Sequence, residues 1–230
     1  MSIYAEDVHL TLAEAFAVTD VMDVTACCAH CSLTRHSQGI DIYAVIEACS
    51  SQPYSHLYTP GIAVGGHGIP IYPQIYPRND PAATIVRAAR AANRSMPHYA
   101  VALLEEHHGP LAGQRVAVFG ASYRGGVKET AFSGVFDVVA ELEGASAIPM
   151  VNDPMYTRAE LEALGFQDYE FGQPVDAVIV QANHAEYVRI LPEHLPGARA
   201  IVDGRGMTSH QPRAAIPTHI IGSASASASA

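Results

Sequence analysis

The stretch Gly65-Gly66-His67-Gly68 lies inside a run dense in Pro, Gly and Tyr, residues 53–79. Glycines let a backbone approach a ligand closely, and a histidine among them can take or give a proton near neutral pH. A second stretch begins where the apolar run RVAVF (115–119) ends in Gly120, followed by Arg124, Gly125, Gly126 and Lys128. A guanidinium just past a strand can fork onto phosphate oxygens, and the glycines leave N–H groups free to help. A third stretch holds Cys27, Cys28, His30, Cys31 and His36. Cys28-x-x-Cys31 has zinc-ligand spacing and His36 adds a donor, but no second C-x-x-C follows, so no metal is expected. His9 and His67 would form a proton-transfer pair if the fold brought them together.

These residues need elements to hold them. Residues 4–18 space Val8, Leu12, Ala15 and Phe16 as a helix does, and Gly39-Ile-Asp opens a second helical stretch through Ala48. Cys49, on that apolar stretch, is expected in the core. Residues 81–95 form an Ala-rich helix with Pro81 in its first turn, and Pro97 is expected to break it and start another through Glu106. Arg87, Arg90 and Arg94 fall at helical spacing and read as a solvated face. From Arg115 onward, the short apolar runs RVAVF (115–119), SAIPMV (146–151), DAVIVQA (176–182), RAIVD (199–203) and HIIG (219–222) alternate with helical stretches. That alternation predicts a parallel sheet with helices on both faces. The expected organisation is a helical region over 1–110, a sheet domain over 112–222, and a disordered tail over 223–230 in GSASASASA.

Composition limits the function. The chain has 230 residues, 49% of them apolar, and a formal charge of -10 from 13 Lys+Arg against 23 Asp+Glu. It can bury a core, and its sign opposes generic nucleic-acid binding. No window of about 18 uninterrupted apolar residues predicts a membrane span. The first ten residues lack a basic stretch leading into an apolar one, and the cysteines at 27, 28, 31 and 49 are not spaced as a disulfide scaffold. Both features predict a reducing cytoplasm.

Six segments carry a resemblance. TPGIAVGGHGIPIYP (59–73) resembles the catalytic loop of the UDP-glucose/GDP-mannose (nucleotide-sugar) dehydrogenase family, nearest the type acting on UDP-N-acetylmannosamine. Asp7-Val8 with its apolar helix resembles that family's dimerisation helix, and ARAANRSMP (89–97) its helix after the loop. VAVFGASYRGGVKETAFSG (116–134) resembles the opening of its UDP-binding domain; VDAVIVQANHAEY (175–187) and VDGRGM (202–207) resemble later strands.

The resemblance implies an α/β protein: an N-terminal helical dimerisation region, then a Rossmann-like parallel-sheet UDP-binding domain. It implies a UDP-sugar ligand touching Gly65, Gly66, His67, Gly68, Arg124 and Lys128, and a homodimer. The departures imply lost chemistry. The family's nucleophilic cysteine falls on Gly68, an asparagine falls on His9, and the catalytic lysine falls before Met1. No G-x-G-x-x-G follows an N-terminal strand, so no NAD site is expected unless a separate chain supplies one. A glycine cannot trap an aldehyde as a thiohemiacetal. The expectation is a truncated homologue that binds a UDP-N-acetylhexosamine without oxidising it alone. The alternatives are the C-terminal subunit of a split dehydrogenase and a non-redox enzyme using His9 and His67.

Overall fold

In the computed structural model, which describes residues 41–51, 58–79, 83–208 and 216–223, the short apolar runs become one parallel sheet. Its strands are β1 (Arg115–Phe119), β2 (Ile148–Asn152), β3 (Ala177–Val180), β4 (Ala200–Asp203) and β5 (Thr218–Ile220). They lie in the order β2-β1-β3-β4-β5, all pairs parallel, with Val118 opposite both Val151 and Ile179. Between them run α4 (Val135–Gly144), α5 (Arg158–Ala163) and two short 3-10 turns, Ala185–Arg189 and Pro192–His194. Three helices precede the sheet: α1 (Ile42–Cys49), α2 (Tyr72–Asn79) and α3 (Thr84–His108).

Alternation along each strand splits the core in two. Val116, Val118, Ala177, Ile179, Ala200 and Val202 face one side, where Leu104 and Met96 of α3 and Val138 and Leu142 of α4 cover them. Ala117, Phe119, Val178, Val180 and Ile201 face the other, under Tyr169, Tyr187, Ile190 and Leu195. Central parallel strands buried on both faces read as unbroken apolar runs. Ile62, from the Gly-rich segment, is fully buried in the first cluster and so roots that segment in the sheet's core.

Local signals start the flanking helices. Asp41 caps α1 by accepting from the Tyr43 N–H at 2.9 Å. Thr157 and Glu160 form a capping box on α5.

Three expectations are corrected. Pro97 does not divide the helix; α3 runs unbroken through it for 25 residues. Pro97 is itself buried, and Met96, Ala100, Val101, Leu103 and Leu104 of the same helix are buried with it, so packing of the helix outweighs one lost backbone hydrogen bond. The run 53–79 is not all loop, because Tyr72–Asn79 is helical. Cys49 is exposed rather than in the core: in α1 only Ile46 is buried, and the cysteine stands at the helix's last position. The helix expected over 4–18, His9 and the Cys27–His36 cluster lie outside the described residues. Among the described residues no helix is long and apolar enough to cross a membrane, and no three metal-ligating side chains converge.

Candidate functional site

The strand order reverses between β1 and β3, and in open parallel sheets ligands bind at the carboxyl edge of such a reversal. Two segments meet there, residues 120–126 after β1 and 181–184 after β3. Gly120 takes φ +107°, and a Cβ there would lie 2.8 Å from the Ala182 nitrogen, so only glycine fits.

Side chains from the neighbouring strands pin the first segment through its N–H groups. Asp153, after β2, accepts from the Ala121 and Ser122 N–H groups through Oδ2, at 2.9 Å each. Asn183 Oδ1 accepts from the Gly125 N–H at 2.9 Å. His184 Nδ1 accepts from the Gly126 N–H at 3.4 Å, which leaves the ring proton on Nε2, 3.1 Å from Asp153 Oδ2. His184 and Asp153 are both almost wholly buried. Burial pushes the Asp153 carboxyl up, but His184 and the Ser122 and Met155 N–H groups outweigh it, and the carboxyl sits below the usual aspartate range. Tyr187 closes the floor by donating to the Asn152 carbonyl at 2.8 Å.

The Gly-rich segment arrives from the other side. Gly66, at φ +89°, donates to the Ala131 carbonyl at 2.8 Å. A Cβ on Gly65 would meet Tyr123 Cβ at 2.5 Å and the Phe132 carbonyl at 2.7 Å. Tyr123 thus stands between this segment and Arg124, whose Nε donates to the Tyr123 hydroxyl at 3.5 Å and whose guanidinium carbon lies 5.8 Å from the Tyr123 ring centre. Arg124 is otherwise exposed. His67 is exposed, with Nε2 3.5 Å from Glu129 Oε2. The Ala131 N–H and His67 together hold the Glu129 carboxyl below its ordinary range.

The structure therefore brings Gly65, Gly66, His67 and Arg124 to one edge. Lys128 points elsewhere: Nζ lies 2.5 Å from Glu160 Oε1 and 5.2 Å from the centre of the Tyr156 ring. Lys128 and the Thr157 groups pull the Glu160 carboxyl down to about 2. Gly68 is half-buried and has room for a Cβ, which would meet the Tyr72 ring at 3.8 Å, an ordinary contact.

Sequence reasoning missed Asp153, Asn183, His184 and Arg205. Their signal was positional, since each stands just past an apolar strand run. Arg205 donates through Nε to the Gln181 carbonyl and through Nη2 to the Ala63 carbonyl. Asp203 fixes its backbone by accepting from the Arg205 N–H at 2.8 Å and from the Thr208 hydroxyl at 2.6 Å.

Comparison with known proteins agrees with this geometry. Residues 117–210 match the sequence model described as the UDP-glucose/GDP-mannose dehydrogenase family, UDP binding domain. A UDP-N-acetyl-D-mannosamine dehydrogenase of Pyrococcus horikoshii is 27% identical over 214 residues, 90% of this chain and 46% of the relative. One of Methanocaldococcus jannaschii is 32% identical over 149 residues, 65% of this chain and 34% of the relative. The structure of a UDP-glucose dehydrogenase from Pyrobaculum islandicum superimposes with a TM-score of 0.79 at 24% identity, over 92% of this chain and 50% of that one. The chain spans about half the length, or less, of the curated relatives it matches. Residues 117–210 of this chain are thus similar to the UDP-binding domain of the UDP-glucose/GDP-mannose dehydrogenase family.

Proposed function

We propose that this chain binds a UDP-sugar of the N-acetylhexosamine type at the carboxyl edge between β1 and β3 and does not oxidise it unaided. The observation that carries the reading is the pinned 120–126 segment. Four of its N–H groups are held by side chains: those of Ala121 and Ser122 by Asp153, that of Gly125 by Asn183 and that of Gly126 by His184. A segment fixed this way holds its one exposed cation, Arg124, in place, and a preset guanidinium suits a diphosphate. Gly65, Gly66, His67 and Gly68 would lie along the sugar. The matched relatives named for UDP-N-acetyl-D-mannosamine favour an acetamido sugar.

Absence of unaided oxidation rests on Gly68. An alcohol-to-acid oxidation through a bound aldehyde needs a nucleophile there, and a glycine supplies none. The helical region over 1–110, with its role in a homodimer, and a cytoplasmic setting belong to the same proposal. Calorimetric titration with UDP, UDP-N-acetylglucosamine and UDP-N-acetylmannosamine tests it. Saturable heat with all three, strongest for an acetamido sugar, is the expected result. No heat at millimolar ligand overturns the binding reading, and NADH formed by the chain alone with NAD and the sugar overturns the inactive one.

A further inference from the structure

Arg90 departs from the solvated face expected of it. Arg87 and Arg94 are exposed, but Arg90 is only 7% exposed, and its Nε and Nη1 are buried with no hydrogen-bond partner among the described residues. A guanidinium does not shed its charge near neutral pH, so a buried one without a counter-charge is strongly unfavourable. The surrounding sequence offers little to neutralise it. Between Tyr58 and Leu104 there are four arginines, at 78, 87, 90 and 94, and one acid, Asp80. Burial and the neighbouring Arg94 both pull the Arg90 pKa down, and no carboxylate pulls it back.

We propose that Arg90, with Arg94 one turn further along α3, is the receptor for a phosphate-class dianion, a site separate from the strand edge. Two guanidiniums a turn apart present forked donors and two positive charges, which matches a phosphate better than a single carboxylate. The place also has a route to the Gly-rich segment. Asn93, between the two arginines, is 4% exposed and accepts from the Val64 N–H at 3.0 Å. An anion that fixed this turn of α3 would steady Val64 and, through it, residues 64–68. The inference does not depend on the UDP-sugar reading.

The test is thermal unfolding of the full chain with sodium phosphate titrated against sodium chloride at constant ionic strength. Wild type, Arg90→Met, Arg94→Gln and Arg124→Gln are compared, and glucose 6-phosphate is run beside orthophosphate. Phosphate is expected to raise the wild-type melting temperature by several degrees, with most of that rise kept in Arg124→Gln and lost in Arg90→Met and Arg94→Gln. Without phosphate, Arg90→Met is expected to melt at or above wild type, because an uncompensated buried charge is gone. A larger rise with glucose 6-phosphate assigns a phosphomonoester, and a larger rise with orthophosphate assigns the free ion; both support the site. Equal rises in all four proteins overturn the proposal. So does a lower melting temperature for Arg90→Met without phosphate, which would mean that this chain already supplies the counter-charge. If Arg90→Met does not fold, Arg90→Lys keeps the charge and loses the fork; an undiminished rise in both Arg90→Lys and Arg94→Gln overturns the site, and a lost rise in both supports it. A calorimetric UDP titration of Arg94→Gln that matches wild type keeps the two sites distinguishable.

Discussion

The Arg205 guanidinium donates through Nη2 to the carbonyl oxygen of Ala63 at 3.1 Å, across 142 residues of sequence. The same side chain donates through Nε to the Gln181 carbonyl at 2.9 Å, so it ties the Gly-rich segment to the end of β3. Ile62, fully buried beside Ala63, supplies the apolar half of that tie. Together they fix how far the Gly-rich segment stands from the strand edge.

Replacing Arg205 with Lys removes the planar fork and leaves one of the two carbonyls without its donor. The expected loss is about 1–3 kcal/mol of stability, the usual penalty for a buried acceptor left unpaired. Urea unfolding measures it. UDP-sugar affinity should fall more than UDP affinity, because the sugar would lie against the segment that loosens. Equal losses for the two ligands would place the effect on the sheet edge instead.

Asp153 predicts a pH dependence. Its carboxyl sits below the ordinary range in the folded chain, so folding favours the ionised form. That contribution is complete above the unfolded value of about 4 and disappears as pH falls through the lower folded value. Asp153→Asn puts an amide against donors that want an anion, and the expected loss is about 3 kcal/mol at pH 7. The gap between the variant and wild type should narrow steadily below about pH 4. Urea midpoints collected from pH 7 down to pH 3 check this, and a gap independent of pH would sink it.

The sheet was readable because a buried parallel strand is a local signal. All five apolar runs became strands within about two residues of their expected ends, since both faces of each central strand are covered and no polar residue interrupts the run. The place of Arg124, Gly125 and Gly126 at the carboxyl edge was readable because they follow β1. What escaped depends on distant partners. Asp153 looks like any surface aspartate until β2 sets it beside Ala121, Ser122 and His184. Pro97 looks like a helix end until burial on both sides of it, from Val86 to Leu104, keeps α3 in one piece. Arg90 looks like Arg87, and only packing separates them.

Gly65 and Gly68 belong to one segment yet predict opposite outcomes. A methyl group at Gly65 meets Tyr123 Cβ at 2.5 Å and the Phe132 carbonyl at 2.7 Å, and backbone cannot yield as a flexible side chain can. Gly65→Ala is expected to separate the two segments, with a destabilisation of about 1–3 kcal/mol and loss of sugar-dependent affinity. At Gly68 the nearest atom is 3.8 Å away and φ is not in the left-handed region. Gly68→Cys should therefore fold with stability within about 0.5 kcal/mol of wild type. Its thiol should be alkylated by iodoacetamide, read as a mass increase on the peptide containing residue 68. A Gly68→Cys chain that fails to fold would mean the segment is more crowded than this geometry allows.

Arg124 and Lys128 separate the proposed phosphate contact from mere positive charge. Arg124 has one long hydrogen bond to Tyr123 and an otherwise exposed guanidinium, whereas Lys128 is engaged by Glu160 at 2.5 Å and by Tyr156. Both partners of the Lys128 pair are close to half exposed, so it adds little stability. It does, however, keep the ammonium turned toward α5. Arg124→Gln is expected to weaken UDP about tenfold or more, equivalent to about 1.4 kcal/mol. Lys128→Gln removes the same charge four residues along and should change affinity by less than about threefold, a long-range contribution that salt screens. Calorimetry at low and at 0.5 M added chloride, taken as roughly the range over which exposed charges are screened, distinguishes the two. The Arg124→Gln deficit should persist in part at high salt because a direct hydrogen-bonded contact is lost, and the Lys128→Gln deficit should vanish. Equal deficits that vanish together would reduce Arg124 to a general attraction and remove it from the site.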